Sequence, residues 1–492
     1  MMKSFIKKIL VLALPIVILG LSLMSCNSCQ TKQQNQTYFG GYLVNSKDSL
    51  VILYLNDKAV DSVALDKDKT FSFSIDTDTE KLYHFAIDQE YHYVYLEPGD
   101  SLTVFANLMD FKKTMSFSGK EANVNTYITS QLEESESFHE VFKKFHRMSP
   151  KDFKQKTDSV RRVKEQEYAD FLKTNPTLSE KAKEITQVST MSLVNKEIEL
   201  YPFMHQRKMN ECVVNKLPKD FYDYRSDIDF NNTFLAYFRP YYSYMVMFIN
   251  NLSFTAYRKC SQQYDLSEDI NKVPDFHINK LGIIDSVFRS GDLRDGLFRN
   301  AAYAFLFHIQ DETSSRNYVN LYDGFNQESK HREELNQVFA NTFALQKGNF
   351  PPDFDLVTPD KKTVCFKDTP RPIINLYYLW SVNQSYQSSV IQGRIHQLMK
   401  RFPSVRFVGI DASKNEALWL KRISEWDLKN TEQLHVTDFQ DFSEKYLIND
   451  LNRCFILDEK GKIISVFENI FSANLEKILS ERISAYKRNS RL

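Results

Sequence analysis

Glycine and proline are both scarce, at 13 and 14 of 492 residues, which excludes collagen-like, elastic and linker-dominated architectures. Cysteine is scarcer still. Six thiols spread over so long a chain do not make a disulfide framework, so stability must come from packed cores. Neither sign of charge is in excess: 63 basic and 63 acidic side chains cancel. Without a basic surplus to neutralise a run of phosphates, no nucleic-acid partner is expected. Long hydrophobic runs are missing too, apart from one near the N-terminus. What the chain has in quantity is aromatic: 38 Phe and 26 Tyr must fill the interior. Its length exceeds what one hydrophobic core serves, and two to four domains are expected.

The N-terminal run has a specific form. Lys3, Lys7 and Lys8 precede the charge-free segment Ile9–Met24, and Leu23-Met24-Ser25-Cys26 follows. A basic start, a short apolar stretch and a small residue before the cut describe a secretory signal. Sixteen residues fall short of the roughly 20 a membrane-spanning helix needs. Cysteine in the first mature position makes the segment resemble a bacterial lipoprotein signal. That resemblance implies that Cys26 is diacylated, then N-acylated, and anchors the protein in a bilayer as a lipid-bearing envelope protein, its body facing the periplasm. Several acyl chains suffice for stable attachment, whereas one is marginal. The alternatives are an uncleaved signal anchor or an ordinary signal with a coincidental Cys. Loss of residues 1–25 removes three Lys and leaves 60 bases against 63 acids.

Residues 26–36 (CNSCQTKQQNQ) carry no apolar pattern and read as a tether. Residues 37–118 read as an antiparallel β-sandwich. Thr70-Phe71-Ser72-Phe73-Ser74-Ile75 alternates at period two, and Leu50–Leu55, Leu82–Ile87, Tyr91–Leu96 and Leu102–Ala106 are further strand-like runs. Pro98-Gly99-Asp100 marks a turn. Tyr91–Asn107 followed by Met115–Gly119 resembles the small β domain of unknown function that precedes thioredoxin-like domains in Gram-negative envelope lipoproteins.

Residues 119–345 switch to helical period and form an all-α middle region. Ser149-Pro150-Lys151-Asp152 predicts a helix start, and Phe153, Val160, Val163 and Phe171 predict its apolar face. Thr177 or Ser179 starts another helix. Phe234–Phe254 is the most apolar stretch after the signal, but Arg239, Pro240, Asn250 and Asn251 sit inside it, which predicts a buried aromatic helix rather than a membrane span. Helices are also predicted at Ser290–His308 and Lys330–Gly348.

Residues 346–487 alternate strand and helix, so an α/β sheet with helices on its faces is expected. Strands are predicted at Phe354–Val357, Val364–Phe366, Ile373–Tyr378, Val405–Ile410, Phe455–Leu457 and Ile463–Val466. Helices are predicted from about Gln384, at Glu416–Trp426 and at Ala473–Ala485. Pro352-Asp353-Phe354, Lys361–Phe366, Ile373–Tyr378 with Trp380, Val405–Asp411 and the hairpin Phe455–Ile463 stand in an order that resembles TlpA- and ResA-type thioredoxin-like domains. In that family the first long strand ends in Trp-Cys-x-x-Cys, with the first Cys at a helix N-terminus that stabilises its thiolate. Here Trp380 is followed by Ser381-Val382-Asn383-Gln384. Ser381 takes the place of the nucleophile and Gln384 that of the resolving Cys. The family's cis-Pro corresponds to Asn452, for which a trans peptide is expected.

The resemblance therefore implies a redox-inactive domain with no catalytic residue and no cofactor. A binding or scaffold role with an unidentified envelope protein or peptide partner is the leading expectation. The runner-up is a thiol–disulfide oxidoreductase using displaced cysteines, with Cys365 and Cys454 as the candidate pair. No metal site is expected: His139-Glu140 lacks the second His of a zincin helix, and His139 and His146 read as surface residues. Asp227–Asn231 opens like a calcium loop but lacks its Gly and Glu. Walker, dinucleotide-binding and nucleophile-elbow motifs are missing from the sequence.

Overall fold

The computed structural model describes residues 36–46, 49–87, 90–260, 269–309, 311–326, 329–365, 374–413, 415–426, 428, 431–448 and 450–489. The expected signal, Cys26, Cys29 and nearly all of the tether lie outside these residues, as does the Cys260 side chain. The chain divides into two compact units, Met1–Glu268 with Ser286–Arg294, and Asp269–Asp285 with Asp295–Leu492.

The first unit begins with eight strands: β1 (Gln36–Val44), β2 (Leu50–Leu55), β3 (Lys58–Ala64), β4 (Thr70–Asp76), β5 (Lys81–Ile87), β6 (Glu90–Leu96), β7 (Ser101–Asn107) and β8 (Ser116–Gly119). They form two four-stranded sheets, β4-β1-β7-β8 and β3-β2-β5-β6. The predicted sandwich is present, with one departure from purely antiparallel pairing: β1 and β7 run parallel, Tyr38 opposite Ser101. Asn56 and Asp57, both at positive φ, make the tight turn between β2 and β3. The period-two alternation of β4 sends Phe71 and Phe73 inward, where they meet Phe39 and Phe85. Each fully buried ring of this kind contributes about 1.5–3 kcal/mol over leaving it exposed.

Four helices follow: α1 (Ala122–Phe145), α2 (Pro150–Thr174), α3 (Glu180–Met209) and α4 (Arg239–Cys260). Sheet edge and helix are joined by Asn125 of α1, whose side chain accepts from Tyr95 N–H at 2.8 Å and donates to Tyr95 C=O at 2.9 Å. A side-chain amide thus stands where another strand would pair, blunting the open edge of β6. Ser149 caps α2, its hydroxyl accepting from Asp152 N–H, and Ser179 caps α3 through Ala182 N–H. In α2 the expected face is corrected. Val163 is 57% exposed, while Phe153, Thr157 and Lys164 are buried. The buried positions step by four and then seven, and the Lys164 ammonium is held by Glu134 at 2.5 Å and Glu167 at 2.8 Å.

The expectation of surface histidines is also corrected. His146 is fully buried, and both it (3.2 Å) and His139 (2.7 Å) face the carboxylate of Glu197 on α3. A carboxylate at 1% exposure needs such partners, which draws the imidazoles inward. Two residues on, buried Glu199 accepts from Tyr224 Oη at 2.6 Å and from Arg225 Nε and Nη2 at 2.8 and 2.5 Å. α4 is the predicted aromatic helix. Among the described residues no helix is long and apolar enough to cross a membrane.

The second unit contains α5 (Pro274–Val287), α6 (Asp292–His308), α7 (Glu312–Phe325) and α8 (Arg332–Ala344), of which α5 and α6 straddle the division. There follow β9 (Asp355–Val357), β10 (Thr363–Cys365), β11 (Ile374–Trp380), α9 (Ser385–Arg401), β12 (Val405–Asp411), α10 (Glu416–Glu425), β13 (Glu432–Val436), α11 (Phe439–Tyr446), β14 (Arg453–Asp458), β15 (Ile463–Asn469) and α12 (Ala473–Asn489). One sheet of order β10-β9-β13-β12-β11-β14-β15 results, parallel through its centre and antiparallel at both flanks. All seven residues of β11 are buried, as a parallel strand covered on both faces requires. This is the α/β arrangement, a sheet with helices on its faces, that the alternation of strands and helices in the sequence predicts. β13 and α11 were not expected.

Candidate functional site

The loop from β11 into α9 carries the expected positions. Trp380 ends β11 with no exposed surface, its Nε1 donating to Gln433 Oε1 at 3.1 Å. Its ring lies 5.8 Å from that of Trp426.

Ser381 comes next and is almost sealed. Its N–H donates to Ser388 Oγ at 3.0 Å, and the same hydroxyl donates back to Ser381 C=O at 2.8 Å. Ser381 Oγ itself accepts from Asn383 N–H at 3.3 Å. A residue one helical turn into α9 therefore clamps the loop by both backbone groups. Gln384, by contrast, is exposed, and its side chain makes no capping bond although it stands at the helix N-cap.

Beneath the loop lies a buried carboxylate. Asp411, at the end of β12, accepts from Val382 N–H at 3.2 Å, from Ser413 Oγ at 2.5 Å and from His435 Nδ1 at 2.9 Å. His435 is stacked on Trp419 with ring centroids 5.0 Å apart. Three donors compensate the burial of the charge, and the loop is fixed from below as Ser388 fixes it from above. Sequence reasoning missed Ser388, Asp411 and His435. Asp411 closes a predicted strand, but His435 sits on the unexpected β13, so nothing signalled their meeting.

Asn452 does come to this place. Gln387, in the first turn of α9, donates from Nε2 to Asn452 Oδ1 at 3.2 Å and to Asp450 Oδ1 at 3.3 Å. Among the described residues there is no cis peptide bond, Asn452 included. The four expected positions thus share one end of the sheet, with Asn452 linked through Gln387.

The candidate displaced thiols do not meet. Cys454 on β14 is fully buried, its Sγ 3.4 Å from Glu468 C=O, and burial pushes its pKa well above the usual thiol range. Cys365 on β10 lies 3.4 Å from Asp353 Oδ1. Four strands separate β10 from β14 in the sheet. At about 4.8 Å per step that is roughly 24 Å, against the 4.4–6.8 Å between Cα atoms that a disulfide spans. Both are free thiols.

Chemically the loop offers a hydroxyl without a base. A serine becomes a nucleophile when an adjacent base takes its proton, but the described partner of Ser381 Oγ is a backbone N–H, and His435 Nδ1 is committed to Asp411. Among the described residues no group of three or more His, Cys, Asp or Glu is placed to hold a metal ion.

No protein-family model matches the sequence, and no curated protein matches it. Solved structures do. The thioredoxin domain of a thiol-disulfide oxidoreductase from Bacteroides vulgatus is 20% identical, the match covering 27% of this chain and 99% of that one at a TM-score of 0.23. A thiol-disulfide oxidoreductase from Bacteroides fragilis is 17% identical over 26% of this chain and 99% of that one, TM-score 0.23. A thiol:disulfide interchange protein from a Bacteroides species is 21% identical over 25% and 81%, TM-score 0.21.

Proposed function

We propose that the protein is a cell-envelope lipoprotein, anchored through Cys26, whose thioredoxin-like domain binds a partner instead of exchanging thiols. The observation that carries this reading is the state of Ser381: its amide, carbonyl and hydroxyl are all engaged within the protein, and no thiol occupies the loop. Thiolate is the attacking species in disulfide exchange, and a hydroxyl cannot form a mixed disulfide. The strand order that separates Cys365 from Cys454 supports the same reading over an oxidoreductase built on displaced cysteines.

The full chain tests it in an insulin-reduction assay with dithiothreitol. Wild type is expected to turn over no faster than a no-protein control. The double variant Ser381→Cys, Gln384→Cys restores a thiol at a helix N-terminus, where its pKa falls below the roughly 8.5 of free Cys. It is expected to form an internal disulfide and to reduce insulin measurably. Wild-type turnover clearly above the control would return the oxidoreductase reading.

A further inference from the structure

The sandwich holds a second candidate site, on the outward face of the sheet β4-β1-β7-β8. A groove of about 660 Å³ opens there. Its exposed rings are Tyr38 and Tyr42 from β1 and Phe105 from β7, each 40–42% exposed, and the lining also takes in buried Phe71, half-buried Phe117, and Val63 and Ala64 of β3. Large aromatic side chains normally bury themselves, so three on one open face are informative. Tyr42 and Phe105 lie side by side, ring centroids 5.8 Å apart. Tyr38 lies down over Gly40, where an added Cβ would meet its hydroxyl oxygen at 2.8 Å. The missing side chain therefore lets this ring present its face.

Hydroxyls supply the remaining outward lining. Ser72 comes from β4, Thr103 from β7, Ser116 and Ser118 from β8. Among the described residues the side-chain hydroxyls of Tyr38, Tyr42, Ser72, Ser116 and Ser118 have no hydrogen-bond partner within the protein, whereas Thr103 donates to Ser118 C=O. Charge is nearly lacking. Asp76, at the far end of β4, is the one charged outward residue on these strands and does not line the groove. Asp66, at the rim, is committed to the N–H and hydroxyl of Thr70 and to Asp68 N–H.

We propose that this groove binds a neutral oligosaccharide. A pyranose presents weakly polarised C–H groups on its faces, which stack on the negative face of an aromatic ring, and hydroxyls around its rim. Rings flanked by hydroxyls that can each donate and accept match both features. The near absence of charge leaves no counter-ion for a uronate, sulfate or phosphate group. An apolar protein surface is a poorer fit, because hydroxyls interrupt the rings. A strand-adding peptide needs a free sheet edge, whereas the groove lies on the face.

Affinity electrophoresis and calorimetric titration of the full chain with neutral linear hexasaccharides of glucose, mannose and xylose, beside a polyuronate hexamer, test the proposal. At least one neutral hexasaccharide is expected to bind, with little salt dependence. Tyr42→Ala with Phe105→Ala is expected to weaken it at least tenfold at an unchanged unfolding midpoint, and Tyr42→Phe to retain most of it. Tyr386→Ala, an exposed aromatic of the other compact unit, is the control expected to change nothing. Binding that survives the double variant, preference for the polyuronate, or no binding of any neutral hexasaccharide at millimolar concentration overturns the assignment.

Discussion

His92 shows how one side chain ties sheet to helix and makes stability depend on pH. Thr129 already donates its hydroxyl to Asn125 C=O, so the 2.8 Å contact with His92 requires Nε2–H of the imidazole to be the donor. Rings of Phe85, Phe111 and Phe117 surround the other side. Burial, with a smaller push from Lys112, lowers the His92 pKa from 6.5 to about 4. The sign follows from linkage. Between these values the unfolded chain binds the proton and the folded one does not, so stability is full above pH 6.5 and falls as pH drops towards 4. The loss is expected to reach about 2–3 kcal/mol. Chemical denaturation at pH 7.5 and 4.5 measures it, and His92→Gln, which keeps a donor for Thr129 but cannot titrate, is expected to flatten that part of the profile.

Among elements, α3 shows what the sequence hid. Its buried polar residues Glu197 and Glu199 break the apolar stripe by which a helix face is normally recognised, and their partners lie on other elements, invisible to local pattern. Removing the Glu199 carboxylate strands Arg225 and Tyr224 without their acceptor. Glu199→Leu is therefore expected to cost about 3–5 kcal/mol, read from urea unfolding, while Ser149→Ala at the α2 cap costs about 1 kcal/mol. β4 was legible because Phe71 and Phe73 alternate with serines over a half-buried sheet. β13 was not: only Leu434 and Val436 mark its five positions as apolar, and Gln433 and His435, which the sequence would place in solvent, are buried beside them. The α9 loop was legible in part. Trp380, Ser381 and Gln384 are neighbours in sequence, whereas the clamp from Ser388 and the floor of Asp411 and His435 arise only when helix and strands have packed.

At the scale of the whole molecule, the anchor prediction is the simplest to check. Cys26→Ala is expected to shift the protein out of the membrane fraction or leave an unprocessed precursor, and to abolish labelling by a fatty-acid probe that wild type accepts. Unlabelled wild type in the soluble fraction would overturn the anchor. The parallel pairing of β1 with β7 has a consequence of another kind, for the order in which the chain acquires structure. β2, β3, β5 and β6 can close by sequence-local steps, but Tyr38 finds Ser101 only 63 residues later. Contacts of such separation are slow, because the loop entropy is lost before the contact repays it. A chain delivered N-terminus first can pair β1 with β4, but the other edge of β1 stays open until β7 has emerged, so the first strand made is among the last to be paired on both sides. In that interval it is the natural target of a holding chaperone.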